Sequence, residues 1–341
     1  MKIETDRAEI VAGVRHSYTI GSPVAILIRN RDWQNWTEAL PVEDIDGAED
    51  KRKPLTRPRP GHADLAGAIK YNFHDARYIL ERASARETTA RVAVGAVAKA
   101  LLGQFGIEVL SHVIAVGEVR LERAASWQEL VELSRRDEVL LGSVDAATEA
   151  RMKAVVDEAY RTGDTVGGVF EVVARGVPVG LGSHTTWDSR LDGRLAQAIV
   201  SMQAVKGVEI GFAAEGAASF GSKVQDTIHY DPEERRFRRG ANRAGGLEGG
   251  MTNGQDVLVR GLLKPISTLR RPLESVDLVT REASLAAYER SDVCVVPAAG
   301  VIGEAMVALV LAQAFLEKFG GDSLDETRRN YEGYLQQVRA F

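Results

Sequence analysis

The sequence predicts an α+β fold in one compact unit, and three observations carry that expectation. Short runs rich in branched residues, such as Val24–Arg29 (VAILIR) and Val257–Leu263 (VLVRGLL), read as strands. Longer stretches of helical composition lie between and after them, ending with the strongly apolar Glu304–Phe319. No Ser/Pro-rich linker divides the 341 residues, of which 45% are hydrophobic and 27% charged, as in ordinary globular proteins.

In order along the chain, Val24–Arg29 reads as a buried strand, and Ile107–Leu121 as one or two strands with a turn. Ser84 followed three residues later by Glu87 is a capping-box pattern, and it opens a long apolar helix. Asp145–Tyr160 has helical composition with Asp145 as its N-cap. Gly167–Leu181 (GGVFEVVARGVPVGL) reads as a hairpin, followed by a helix with Leu195, Ile199 and Met202 on one face. Asp44–Lys53, acidic and then basic, reads as an exposed insertion.

The chain also echoes itself. RVAVGAVAKALLGQFG (residues 91–106) resembles AMVALVLAQAFLEKFG (305–320), and TIGSPVAILI and TNGQDVLVRG share a Thr-x-Gly turn leading into a strand. Two half-repeats about a pseudo-twofold would produce both echoes. Helices rich in Ala and Leu are alike by composition and would produce the first without one.

Several classes are excluded or disfavoured. A net charge of −5 argues against a general nucleic-acid binder. The one cysteine, Cys294, rules out an intrachain disulfide framework, and its apolar setting reads as a buried core thiol. No apolar run reads as long enough to span a bilayer and no signal-peptide pattern is present, so a soluble, cytoplasmic protein is expected. No metal is assigned.

Four segments concentrate unusual polar groups. In LTRPRPGHADLAGAIKY (55–71) the prolines hold Arg57 and Arg59 extended, and Gly61 allows a tight turn before His62. ERASARET (81–88) joins Arg82 and Arg86 to a helix start suited to an anion. GANRAGGLEGGMTNG (240–254) lets backbone approach a flat ligand, and KPIST (Lys264–Thr268) offers a cation and two hydroxyls after a strand. ERSDVCVVPAAG places Arg290 and Asp292 before an apolar run. So many cations in an acidic protein suggest a pocket for a multiply charged small anion, because phosphate and carboxylate favour forked guanidinium partners.

These blocks, with QAVKGVEIG, RSDVC and GEAM, resemble the chorismate synthase family over essentially the whole chain. The resemblance implies a single β-α-β sandwich domain over 1–341 with internal pseudo-twofold duplication. It implies an anti-1,4-elimination of phosphate from 5-enolpyruvylshikimate 3-phosphate, with reduced FMN as cofactor although there is no net redox change. It also implies a homotetramer and brings in NADP; the flavin is reduced by this protein or by a separate flavin reductase, and the lack of an obvious added reductase domain favours the latter. Carried over residue by residue, Arg82, Ala83, Ser84, Gln203, Ala204, Gly249, Lys264, Pro265, Ile266, Ser267, Thr268 and Arg290 would bind the flavin. Arg57, Arg59 and Arg86 would bind substrate. His62 would protonate or stabilise the reduced flavin, and Asp292 would assist proton transfer through it.

The chain departs from the family pattern at its start. MKIETD matches an internal methionine of the family, so the segment with G-E-S-H-G and G-Y-G-R-G is expected to lie upstream, beyond a start site placed late. That segment carries the family's second histidine, two substrate arginines and a first strand. His16 matches a different family position and does not replace it. The alternative reading is a non-catalytic subunit that binds FMN or phosphate.

Overall fold

The computed structural model describes residues 6–43 and 52–341, so most of Asp44–Lys53 lies outside the described residues. Two compact units are distinguished: Met1–Ala93 with Ser267–Arg290, and Val94–Ile266 with Ser291–Phe341.

In the first unit, β1 (Ala8–Ala12) pairs antiparallel with β2 (Ala25–Ile28). The expectation of a buried strand at Val24–Arg29 is corrected here. Only alternate residues of β2 are half-buried, and Leu27 is 40% exposed. Among the described residues its strand partner is β1, itself exposed throughout. His16 and Ser17, at φ +47° and +67°, form the turn of a small hairpin between Val14–Arg15 and Tyr18–Thr19. His16 is thus a turn residue.

The Arg-Pro segment bends at Arg57, which corrects the expectation that this arginine is held extended, and it is tied to the hairpin of Glu274–Val276 and Ala283–Leu285 and the residues around it. The Ser275 hydroxyl donates to the Pro58 carbonyl at 2.6 Å, Leu278 N–H to Thr56 and Ala287 N–H to Arg57. Gly61, at φ +76°, then turns the chain into α1 (Asp64–Tyr71), which stops at left-handed Asn72. After it come α2 (Arg77–Ala83) and α3 (Thr88–Gly103). The Ser84 side chain accepts from Arg86 N–H at 3.2 Å and caps a short 3₁₀ turn. The expected capping box does not form, because the Glu87 carboxylate is drawn to Arg91 at 2.9 Å. A complete box occurs instead at Ser126 and Glu129, opening α4 (Trp127–Ser134).

The second unit is built on five antiparallel strands: β3 (Glu108–Val116), β4 (Val119–Arg120), β5 (Gly168–Arg175), β6 (Val205–Ile210) and β7 (Val257–Leu263). Their spatial order is β4-β3-β5-β7-β6. Ile107–Leu121 gives two strands and a turn, as expected. Gly167–Leu181 does not form a hairpin. Its first half is β5, whose both edges are taken by β3 and β7, leaving no ladder for Pro178–Leu181.

Alternation sorts the faces. Phe170, Val172 and Ala174 of β5 and Val257 and Val259 of β7 join the main core, with α6 (Leu191–Val200) and α7 (Val296–Phe319). The Phe170 ring fills the space left by two glycines: a Cβ on Gly261 of β7 would lie 2.3 Å from it, and one on Gly303 of α7 would lie 2.5 Å away. Helix α5 (Ala146–Thr162) is capped by Asp145, whose side chain accepts from Thr148, and ends at left-handed Gly163. A last helix, α8 (Leu324–Ala340), packs on α7.

At 24 residues α7 is, by length and composition, apolar enough to cross a membrane, which corrects the expectation that no such run exists. It is buried here as a core helix, with Val307, Ala308, Leu311 and Phe315 fully enclosed. The echoed helices α3 and α7 touch directly, since Gly95 has room for no side chain beside Ala305. Lys99 and Glu304 pair across them at 2.5 Å.

Candidate active site

The first unit gathers one polar cluster around α1. Asp64 opens the helix fully buried, where the N-terminal dipole favours a carboxylate. The Arg59 guanidinium grips it in a fork, Nε at 2.8 Å and Nη2 at 3.0 Å, and Arg59 N–H adds a third bond at 3.1 Å. His62 Nδ1 lies 2.5 Å from Oδ1, the oxygen that Arg59 Nη2 also reaches. Burial would raise the Asp64 carboxyl, but the bonds from His62 and Arg59 hold it well below the usual carboxylate range.

An ionised carboxylate only accepts hydrogen bonds, so His62 Nδ1 carries the proton that Asp64 receives. Arg59 Nη2 also lies 3.0 Å from Nδ1, but two donors face each other there and no bond forms. With Nδ1 donating to Asp64, Nε2 is the unprotonated nitrogen, 3.4 Å from Arg59 Nη2, which can donate to it. Arg59 Nη1 donates to the Thr268 hydroxyl at 3.0 Å, bringing the end of KPIST into this cluster.

Next to it, Ala63, Lys70, Tyr71, Tyr78, Arg82 and Ala83 line a cavity of about 530 Å³ between α1 and α2. Arg57 and Arg290 are exposed in the same unit, and Arg290 acts on Asp32. Arg86 turns elsewhere, to Asp6 at 2.7 Å and the Arg29 carbonyl at 2.9 Å.

The second unit holds another group. Gln203 and Ala204 precede β6, and Lys264, Pro265 and Ile266 follow β7, so the antiparallel pair sets them side by side. Lys264 N–H donates to the Ala204 carbonyl at 3.0 Å. Burial, and then the Lys206 ammonium, push the Lys264 side chain below the usual lysine range. Thr165 Oγ1 donates to Ile266 and Val166 N–H to Val293, which brings exposed Asp292 towards this corner. Burial raises the Cys294 thiol, in keeping with an inert core thiol.

Gly249 is placed apart from these. It sits at φ +58° in a tight turn between Leu247–Glu248 and Met251–Thr252, with open space where a Cβ would be. That hairpin is anchored at the Val257 end of β7, through Gly246, and at the start of α6, where Leu191 N–H donates to Gly250. Lys264 and Gln203 follow the opposite ends of those elements.

The scan against family models matches residues 1–316 to chorismate synthase. The chain belongs to the chorismate synthase family. A chorismate synthase of Solibacter usitatus is 85% identical over all of this chain and 87% of its own length. One of Koribacter versatilis is 66% identical, over all of this chain and 88% of its own. A crystal structure of a chorismate synthase superposes with a TM-score of 0.78 at 42% identity, over 98% of this chain and 86% of the other. The chain is accordingly a lyase with chorismate synthase function, in aromatic amino-acid biosynthesis, and a non-catalytic subunit is not favoured.

Sequence reasoning named most of the polar residues above without the bonds between them. Asp64 stood in the sequence as one polar residue among several. The signal for its role was its spacing, two residues after His62 and at a helix start. Lys70 stands among the polar groups of the Arg-Pro segment, but Tyr71 and Tyr78 beside Arg82, and Lys206 beside Lys264, had no signal in the sequence that separated them from surface residues.

Proposed function

We propose that this chain eliminates phosphate from 5-enolpyruvylshikimate 3-phosphate with reduced FMN bound, and that His62 is the residue that manages a proton there. The observation that carries the reading is the Asp64–His62 pair, buttressed by Arg59 and Thr268, which fixes the proton on Nδ1 and makes Nε2, 3.4 Å from Arg59, the nitrogen that accepts one. The donor chemistry fits the cofactor: a half-buried lysine follows β7, and Arg82 borders a cavity lined in part by two tyrosines. Arg82, Ala83 and Ser84, Gln203 and Ala204, Gly249, Lys264–Thr268 and Arg290 would hold it. When bound, reduced FMN supplies electron density to an elimination that has no net redox change.

The chain's own residues do the rest. Arg57, exposed and five residues before His62, offers positive charge to a substrate with a phosphate and two carboxylates, while Arg59, buried and neutralised by Asp64, braces His62. Asp64 keeps the His62 proton on Nδ1, so that Nε2 alone exchanges protons with the bound groups. Asp292 would assist from its own corner, and Arg86 would bind substrate. The assembly is read as a homotetramer in the cytoplasm, acting over the full 1–341 span as one domain, with NADP and a separate flavin reductase supplying reduced flavin.

The test is FMN binding and turnover together. Wild type should bind FMN and release phosphate, and His62→Ala should bind FMN but lose turnover. A protein that binds FMN and substrate but releases no phosphate would count decisively against the assignment.

A further inference from the structure

Strands β6 and β7 run side by side, and their pairing slips once. Leu262 faces Gly207 and Leu263 faces Val205, which leaves Lys206 as the extra residue of a β-bulge. Bulges bend a strand locally and re-aim the side chain they carry. Two residues earlier, Ala204 adopts φ +65°, a left-handed conformation that side chains disfavour. Its carbonyl is tied to Lys264 N–H at 3.0 Å, so the strained residue is pinned to the segment bearing the second lysine. Strain of this sort persists where the surrounding structure imposes it, and it clusters at ligand sites.

The pairing sets Lys206 and Lys264 at the same end of one strand pair, where Lys264 Nζ donates to the Pro265 carbonyl at 3.4 Å. They act on each other: after burial, the Lys206 charge is what lowers the Lys264 ammonium. Like charges held together, one of them half-buried, are relieved by an anion that both can reach.

We propose that Lys206 is the second cation of a phosphate-monoester subsite whose first cation is Lys264. The proposal rests on the reading of Lys264 as a ligand-binding residue. It assigns a positioning role to Lys206, which is exposed and contributes nothing to the core. FMN and the substrate both carry a phosphate monoester, so the experiment separates them.

Dissociation constants are measured by flavin fluorescence for FMN and for riboflavin, which lacks the phosphate. Substrate binding is followed by calorimetry. The proteins are wild type, Lys206→Met, Lys206→Arg and Lys264→Met, each checked for an unchanged urea midpoint. Lys206→Met should weaken one phosphorylated ligand roughly ten- to a hundredfold, the worth of one charge-assisted hydrogen bond. Riboflavin binding should be unchanged, and Lys206→Arg should restore most of the loss. Loss confined to FMN assigns the cofactor's phosphate, and loss confined to substrate assigns the substrate's. If Lys264→Met weakens a phosphorylated ligand while Lys206→Met weakens none, the inference fails and the site reading survives. If neither variant weakens any ligand, the site reading fails with it. An equal loss for FMN and riboflavin in Lys206→Met makes the residue structural and overturns the proposal.

Discussion

His62 Nδ1 stands 2.5 Å from Asp64 Oδ1, while the second oxygen of that buried carboxylate accepts from Arg59. One carboxylate thus orients a ring and neutralises a guanidinium together. Removing the ring should separate chemistry from folding: His62→Ala is predicted to lower kcat by about 10²- to 10⁴-fold, the range for an acid–base group. FMN affinity and the melting temperature should change little. Asp64→Asn should also lower kcat and shift the pH–rate profile, because the amide no longer fixes the proton on Nδ1. An unchanged profile would show that Asp64 only braces the loop.

Asp64 also links stability to pH. Its carboxyl titrates below its unfolded value, so the stabilisation is fully present above about pH 4 and is lost as pH falls towards the folded value. Glu129, held down to about 2 by Arg123 and Ser126, acts in the same direction. Urea midpoints should therefore hold from neutrality to about pH 5 and drop below about pH 4. Asp64→Asn should lower the midpoint at pH 7 and flatten the acid limb.

The Phe170 ring occupies room that Gly261 and Gly303 leave open. Phe170→Ala should cost about 3–5 kcal/mol in urea unfolding, through lost transfer energy and an unfilled cavity. Gly303→Ala should also destabilise, by about 1–3 kcal/mol, because neither the ring nor the strand behind it can retreat far. Wild-type stability in Gly303→Ala would mean that the helix shifts freely.

Arg260 bonds Glu171 at 2.6 Å and Glu209 at 3.2 Å, and its guanidinium lies 4.6 Å from the Phe212 ring centre. Burial would raise the Glu171 carboxyl, yet His112 and Arg260 hold it low. Arg260→Leu strands two carboxylates and should cost about 3–5 kcal/mol at pH 7. The deficit should shrink at acid pH, where those carboxyls protonate. A deficit independent of pH would assign the loss to packing.

Much of this was legible in the sequence. Val257–Leu263, the Asp145 cap and the face carrying Leu195 and Ile199 followed from periodicity and capping chemistry alone. The turn at Gly61 followed from the backbone freedom of Gly, whereas the Arg-Pro segment reads as extended and bends at Arg57. The failures share one cause: local pattern does not say what lies on the other side. VAILIR reads as buried, but alternate residues of β2 are exposed, and GVPVGL reads as a return strand, but β5 has no free edge. The bond from Glu87 to Arg91 displaced an expected box for the same reason, since both partners of a helix start compete for one carboxylate. At the site, residue types were legible and pairings were not, because His62 with Asp64 and Lys206 with Lys264 depend on orientation.

The cross-strand row His112, Glu171, Arg260 and Glu209 has a consequence for how the sheet is assembled. Sliding one strand by two residues keeps every apolar group on the inner layer, so greasy contacts cannot detect that error. The alternating charges can, because any such misalignment strands a carboxylate in a dry setting. The row works as a proofreading ruler, and only one alignment reads correctly along its whole length.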